Sequence, residues 1–258
     1  MDQKTKLDIT DIYDDGVLRI SALVGTTSRL VVSFSGIGAD PKARPKEQFI
    51  ASASQNGLNH VLFVMDSSRS WFNRVGITEK VVEVIAVYQR EFQTEETKAV
   101  GDSMGGFCAM ILPSLTAVSA VFVTAPQFSI DPEVVPNETR WRAERAALGP
   151  VRYSKVDEYL QSGTLYVVVH GDAERERMQR ELFPKAHNIW HFVCADSGHS
   201  IASRMRRDNV LGPVLDATFA RKAKKIARLL SGNEWSKRSG GNFDVTAAAP
   251  ALILRAGE

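Results

Sequence analysis

Short apolar runs alternate along this chain with stretches whose apolar positions recur at helical spacing. Residues 8–13 and 17–24 flank Asp14-Asp15-Gly16, which predicts a hairpin turning at Asp-Gly. Leu30 to Phe34 and His60 to Met65 read as buried strands, with a short helix over 46–56 between them. Val81, Val82, Ile85, Val87 and Tyr88 predict a helix over 78–92. Further strands are expected at 97–100, 118–124, 165–169 and 189–194. Helices are expected at 107–112, 173–182 and, as one long element, 212–231. Residues 126–162 break the rhythm: they are rich in proline and charge, with a helical run from Glu138 to Leu148. This stretch is expected to form an excursion or lid. The predicted organisation is one domain over 1–231, followed by a Gly/Ser-rich tail over 232–258, poorly ordered or draped on the surface.

Strands that alternate with helices imply an α/β fold, a mostly parallel sheet with an antiparallel N-terminal hairpin and helices on both faces. Ligands of such sheets bind beyond the carboxyl ends of the strands. Ser35, Asp66, Ser103, Asp172 and His199 all stand at or just past such ends, so residues distant in sequence are placed to converge.

Composition narrows the function classes. A formal net charge of +2 over 258 residues gives no ground for a nucleic-acid or anionic-membrane partner. The basic clusters at 204–207 and 221–228 read as solvated helix faces. No apolar run approaches the roughly 18 residues of a membrane span. The start, Met1 to Asp8, is polar with no signal-peptide core, so a cytoplasmic location is expected. Cys108 and Cys194 lie in apolar runs and read as buried free thiols. No cofactor or metal is expected. His187 and His191 lack a third ligand in a helical frame, and Gly36-Ile37-Gly38 lacks the third glycine of a dinucleotide loop.

The chemistry centres on Gly101-Asp102-Ser103-Met104-Gly105-Gly106, between an apolar strand and a helix-compatible run. G-x-S-x-G in that context is a nucleophile elbow, a sharp turn that lifts a serine Oγ clear of the sheet and requires small residues two positions either side. A serine hydroxyl needs a base to take its proton, and the base needs a partner to hold its tautomer. Chain order supplies Ser103, then Asp172 after one strand, then His199 after the last. Asp172 can also cap the following helix, which is compatible with orienting the histidine, and Asp196 is the rival acid. His170 is assigned a structural hydrogen bond, and Asp102 is expected to point away from the site. Arg69, Trp71 and Asn73 lie on a loop that reads either as a substrate-contacting wall or as a surface loop anchored by one aromatic. Trp141 either covers the pocket or forms the core of the excursion.

The three segments Gly101 to Gly106, His170-Gly171-Asp172 and Ser197-Gly198-His199 resemble the three motifs of the α/β-hydrolase superfamily over about residues 8–231. The resemblance implies a serine nucleophile and an acyl-enzyme route. It also implies an oxyanion hole built from the backbone N–H of Met104 and one from the Ser35-Gly36-Ile37 turn. Ile37 is the expected donor, and Ser35 and Gly36 are alternatives that would border the substrate. Ser35 stands where many members carry histidine. His199, Ala202 and Leu211 followed by a helix resemble small bacterial hydrolases of glycan and capsule loci, which implies an acylated glycan among possible small-molecule acyl substrates. The resulting expectation is a serine hydrolase that cleaves a carboxylic ester or thioester. An acyltransferase or thioesterase on the same residues, and a non-catalytic binding protein on the same fold, are the alternatives. Nothing in the sequence sets the oligomeric state.

Overall fold

The structure, a computed structural model, describes residues 7–38, 40, 42–232 and 234–241. Its strands are β1 (Thr10–Asp14), β2 (Leu18–Leu23), β3 (Arg29–Phe34), β4 (His60–Asp66), β5 (Glu96–Asp102), β6 (Ala120–Thr124), β7 (Leu165–Gly171), β8 (Ile189–Cys194) and β9 (Trp235–Ser239). They form a single sheet in the order β1-β2-β4-β3-β5-β6-β7-β8-β9. The expected hairpin is present, with β1 antiparallel to β2 and β2 antiparallel to β4. From β4 through β3, β5, β6 and β7 to β8, every neighbouring pair is parallel.

Alternate residues of each strand enter opposite cores because a strand's side chains have a period of two. Val32, Val121, Val123 and Val168 face one core, with Phe107, Val81 and Ile85. Val31, Phe122, Val167 and Phe192 face the other, with Val214, Leu215 and Ile226. The strands read as continuous apolar runs because both faces are covered. The covering helices are α1 (Ile50–Ser54), α2 (Ile77–Phe92), α3 (Met104–Ile111), α4 (Arg142–Ala146), α5 (Glu174–Arg180), α6 (Ile201–Arg207), α7 (Leu211–Phe219) and α8 (Ala223–Leu229).

The C-terminal part departs from the expected elements. The long helix over 212–231 is two helices, α7 and α8, broken where Arg221 takes a positive φ of 52°. The stretch beginning at Gly232 is not a featureless tail throughout, because Trp235–Ser239 adds β9 antiparallel to β8. Its polar residues suit an edge strand. Lys237 Nζ lies 4.0 Å from the Trp190 ring centroid, and Arg238 donates to the Glu181 and Phe183 carbonyls at 2.6 and 2.8 Å. Residues 242–258 of the expected tail lie outside the described residues.

The 126–162 segment leaves the sheet after β6 and returns at β7. Its helix α4 is shorter than the Glu138 to Leu148 run suggested. Phe128, Ile130, Tyr153 and Val156 from this segment are buried in the core on the α2–α3 side.

Candidate active site

The turn from β5 into α3 holds Ser103 at φ 54°, ψ −120°, a conformation that L residues rarely adopt. Its neighbours explain how the strain is held. A Cβ on Gly101 would lie 2.1 Å from the Gly105 carbonyl oxygen, and one on Gly105 would lie 2.2 Å from that of Phe34. Only glycine lets strand, helix and β3 approach this closely, and the close packing keeps Ser103 in its strained state. The serine is 5% exposed. The Asp102 side chain turns aside and accepts a hydrogen bond from Thr124 Oγ1 at 2.6 Å, while burial raises its pKa. A cavity of about 700 Å³ opens beside Asp102, bounded also by Gln48, Ala202 and Arg206.

His199 sits in the loop after β8 and brings Nε2 within 2.9 Å of Ser103 Oγ. Its Nδ1 lies 3.2 Å from Glu176 Oε2, in the first turn of α5. Asp172, the carboxylate expected here, is not at the imidazole. It is exposed and accepts the backbone N–H of Ser197 at 3.1 Å, which ties the histidine loop to the end of β7. It does not cap α5 either, whose N-cap is Ala173 with no side-chain bond. The Asp172 carboxylate is taken up by the Ser197 N–H. Glu176 stands one turn further along, on a longer side chain. Asp196 is exposed at a positive φ of 50°.

Glu176 is buried, and burial alone would raise its pKa. The His199 hydrogen bond and the charges of His199 and Arg140 outweigh that and hold it down at about 2. Arg140 Nη1 donates to Glu176 Oε1 at 2.5 Å, and the same guanidinium pairs with Glu138 at 2.7 Å. Trp141 lies over the site, its ring 5.4 Å from that of His199, 6.3 Å from that of Trp71 and 4.5 Å from the Arg140 guanidinium carbon. Glu138, Arg140 and Trp141 all belong to the 126–162 excursion. Gln127, at its start, donates from Nε2 to Ser103 Oγ at 3.0 Å and accepts from Trp71 Nε1 at 3.0 Å.

The backbone donors are sorted by what they already bond. Ser35 donates its N–H to Val64 O at 3.1 Å, and Gly36 donates to Gln48 Oε1 at 3.2 Å. Ser35 Oγ is also occupied, donating to Lys46 O at 2.6 Å. Met104 is the first residue of α3, where an N–H has no acceptor within its own helix. A Cβ on Gly36 would lie 3.7 Å from Ser103 Cβ, so the 35–37 turn runs beside the serine.

The 66–74 loop is braced by its own side chains and by the 126–162 segment. The Asp66 carboxylate gathers the N–H and hydroxyl groups of both Ser68 and Ser70. Arg69 is buried and donates to the carbonyls of Ile37, Ser67, Asp40 and Ala43 at 3.2, 2.8, 3.3 and 2.8 Å. Asn73 exchanges two hydrogen bonds with the Tyr153 backbone, at 2.7 and 3.2 Å. Trp71 is fully buried. Arg69 and Asn73 hold loops together, and Trp71 reaches Ser103 only through Gln127. His170 is buried between Pro126 O at 3.0 Å and His191 Nε2 at 2.9 Å. Among the described residues, no three His, Cys, Asp or Glu side chains form a group that could hold a metal ion. None of the described helices is long and apolar enough to cross a membrane.

Solved structures share this architecture. A capsule O-acetyltransferase of Neisseria meningitidis serogroup A aligns over 83% of this chain and 96% of its own, with a TM-score of 0.56 and 12% identity. Est1E from Butyrivibrio proteoclasticus aligns over 84% and 98%, with a TM-score of 0.54 and 15% identity. An esterase of Pyrobaculum calidifontis aligns over 83% and 85%, with a TM-score of 0.55 and 13% identity. The protein has an α/β-hydrolase fold. In that fold the elbow serine stands at the carboxyl edge of the sheet, as Ser103 does. No family model and no curated protein matches the chain in sequence.

The sequence reading missed Glu176, Arg140 and Gln127. Gln127 follows β6 at a strand's carboxyl end, so the rule that picked out Ser103 and His199 would have found it. Glu176 and Arg140 carry no such signal, since each is one charged residue among many in its segment.

Proposed function

We propose that the protein is a serine-nucleophile enzyme that takes an acyl group from an ester. The observation that carries this reading is the continuous contact from a strained Ser103 through His199 to a buried Glu176, at 2.9 and 3.2 Å. Ser103 Oγ attacks the acyl carbonyl while His199 Nε2 takes its proton. Glu176 holds the Nδ1–H tautomer and stabilises the imidazolium that forms. Arg140 keeps Glu176 ionised and in place. The N–H groups of Met104 and Ile37 bind the oxyanion, each contributing about 3–4 kcal/mol. His199 then protonates the leaving alcohol, and water or an acceptor hydroxyl attacks the acyl-enzyme.

The neighbours named as esterases and as an O-acetyltransferase support ester hydrolysis or acyl transfer as the reaction class. A small-molecule acyl ester is the substrate class. The decisive experiment treats the protein with a fluorophosphonate probe and locates the adduct by mass spectrometry. A label on Ser103, lost in His199→Ala, is the expected result. An unlabelled, folded wild-type protein would overturn the reading in favour of a binding protein.

A further inference from the structure

The hydrogen-bond chain through the site can be followed proton by proton. Trp71 Nε1–H only donates, so the Gln127 atom 3.0 Å away is the carbonyl oxygen and the amide nitrogen faces Ser103. That nitrogen also only donates, so Ser103 Oγ accepts from Gln127. The single serine proton is left for His199 Nε2, the other group on Oγ. The ionised Glu176 carboxylate at Nδ1 only accepts, so the neutral imidazole carries its proton on Nδ1 and Nε2 is the acceptor. Arg140 Nη1 lies 3.4 Å from the same Nδ1 and cannot accept that proton, which leaves Glu176 as its acceptor. A donor-only indole at one end and a carboxylate at the other set the direction of every bond. Trp71 is 0% and Gln127 is 1% exposed, so water does not compete for these atoms.

We propose that Gln127, held in one orientation by Trp71, is a catalytic hydrogen-bond donor to Ser103 Oγ whose effect falls chiefly on release of the acyl group. The proposal rests on the nucleophile reading of Ser103 given above. During acylation, Oγ gives its proton to His199 and an electron pair to the acyl carbon. A donor on the attacking oxygen stabilises the alkoxide but blunts its attack, so the two effects oppose each other. During deacylation, the oxygen of water attacks the acyl carbon and its proton passes to His199 Nε2. The C–Oγ bond then breaks, its electron pair stays on Oγ, and His199 returns the proton to Oγ as the carboxylic acid leaves. Negative charge grows on Oγ in that step, and the Gln127 N–H already points at it. A donor fixed before charge develops needs no reorganisation when the charge appears.

The test compares wild type, Gln127→Leu, Trp71→Phe and the double variant with p-nitrophenyl acetate as substrate. The double variant removes both polar partners, so no buried donor is orphaned and folding is preserved if the single change fails. Circular dichroism checks the fold, the fluorophosphonate labelling rate reports attack by Oγ, and rapid-quench intact mass follows decay of the acetyl-enzyme. The expected result is a labelling rate within about threefold of wild type and an acetyl-enzyme that decays roughly tenfold or more slowly. Labelling and decay that slow in parallel, or decay that does not change, would overturn the proposal. A wild-type protein that neither labels nor acetylates would instead overturn the nucleophile reading, and this inference with it.

Discussion

At the residue scale, the elbow is held by contacts that a single methyl group would break. Gly101, Ser103 and Gly105 occur at fixed offsets, and the Cβ contacts of 2.1 and 2.2 Å show why no larger residue fits. Gly105→Ala is expected to destabilise the protein by about 3 kcal/mol or more, because backbone rather than a flexible side chain blocks the methyl. A urea denaturation midpoint measures this. The acid was not legible. Asp172 and Glu176 are four residues apart across a strand-to-helix junction, and each meets a different part of the 197–199 loop, the Ser197 N–H and the His199 ring. A carboxylate that accepts a backbone N–H, as Asp172 does, looks in sequence no different from one that orients an imidazole.

At the element scale, the strands of the parallel core were readable because both sheet faces are buried and the apolar runs are continuous. Loops were less so. The 66–74 loop places Arg69, Trp71 and Phe72 at positive φ, and the conformation persists because Asp66 and Arg69 gather hydrogen bonds from all around it. No periodicity encodes such an arrangement. Arg69→Met is expected to lower stability by about 2–4 kcal/mol, since it strips four carbonyls of a charged donor in a buried place. The same change frees Ile37 O, so turnover should fall alongside stability. Thermal melting and steady-state esterase kinetics on the folded fraction check the two effects. The edge strand β9 escaped notice for a different reason: its Trp-Ser-Lys-Arg-Ser sequence pairs on one side only and so carries no apolar run.

At the scale of the whole molecule, the sheet brings the end of β5, the start of α5 and the loop after β8 to one edge, with the excursion laid over them. The same edge buries a histidine pair. Burial holds His170 at about 4 and pushes His191 well below its usual value. Between about pH 6.5 and 4 the unfolded chain therefore binds more protons than the folded one, and stability falls as the pH drops through that window. Glu176, depressed to about 2, adds a further loss between about pH 4.5 and 2 as it protonates. His170→Asn should flatten the upper part of this profile, which denaturant titrations at pH 7 and 4.5 would show. If His199 works with Glu176 and not with Asp172, kcat/KM for ester hydrolysis separates Glu176→Gln from Asp172→Asn. Glu176→Gln is expected to lose about 10³–10⁴-fold, as when a histidine loses its orienting carboxylate, and Asp172→Asn to change by less than about tenfold. The reverse ranking would contradict the pairing of His199 with Glu176.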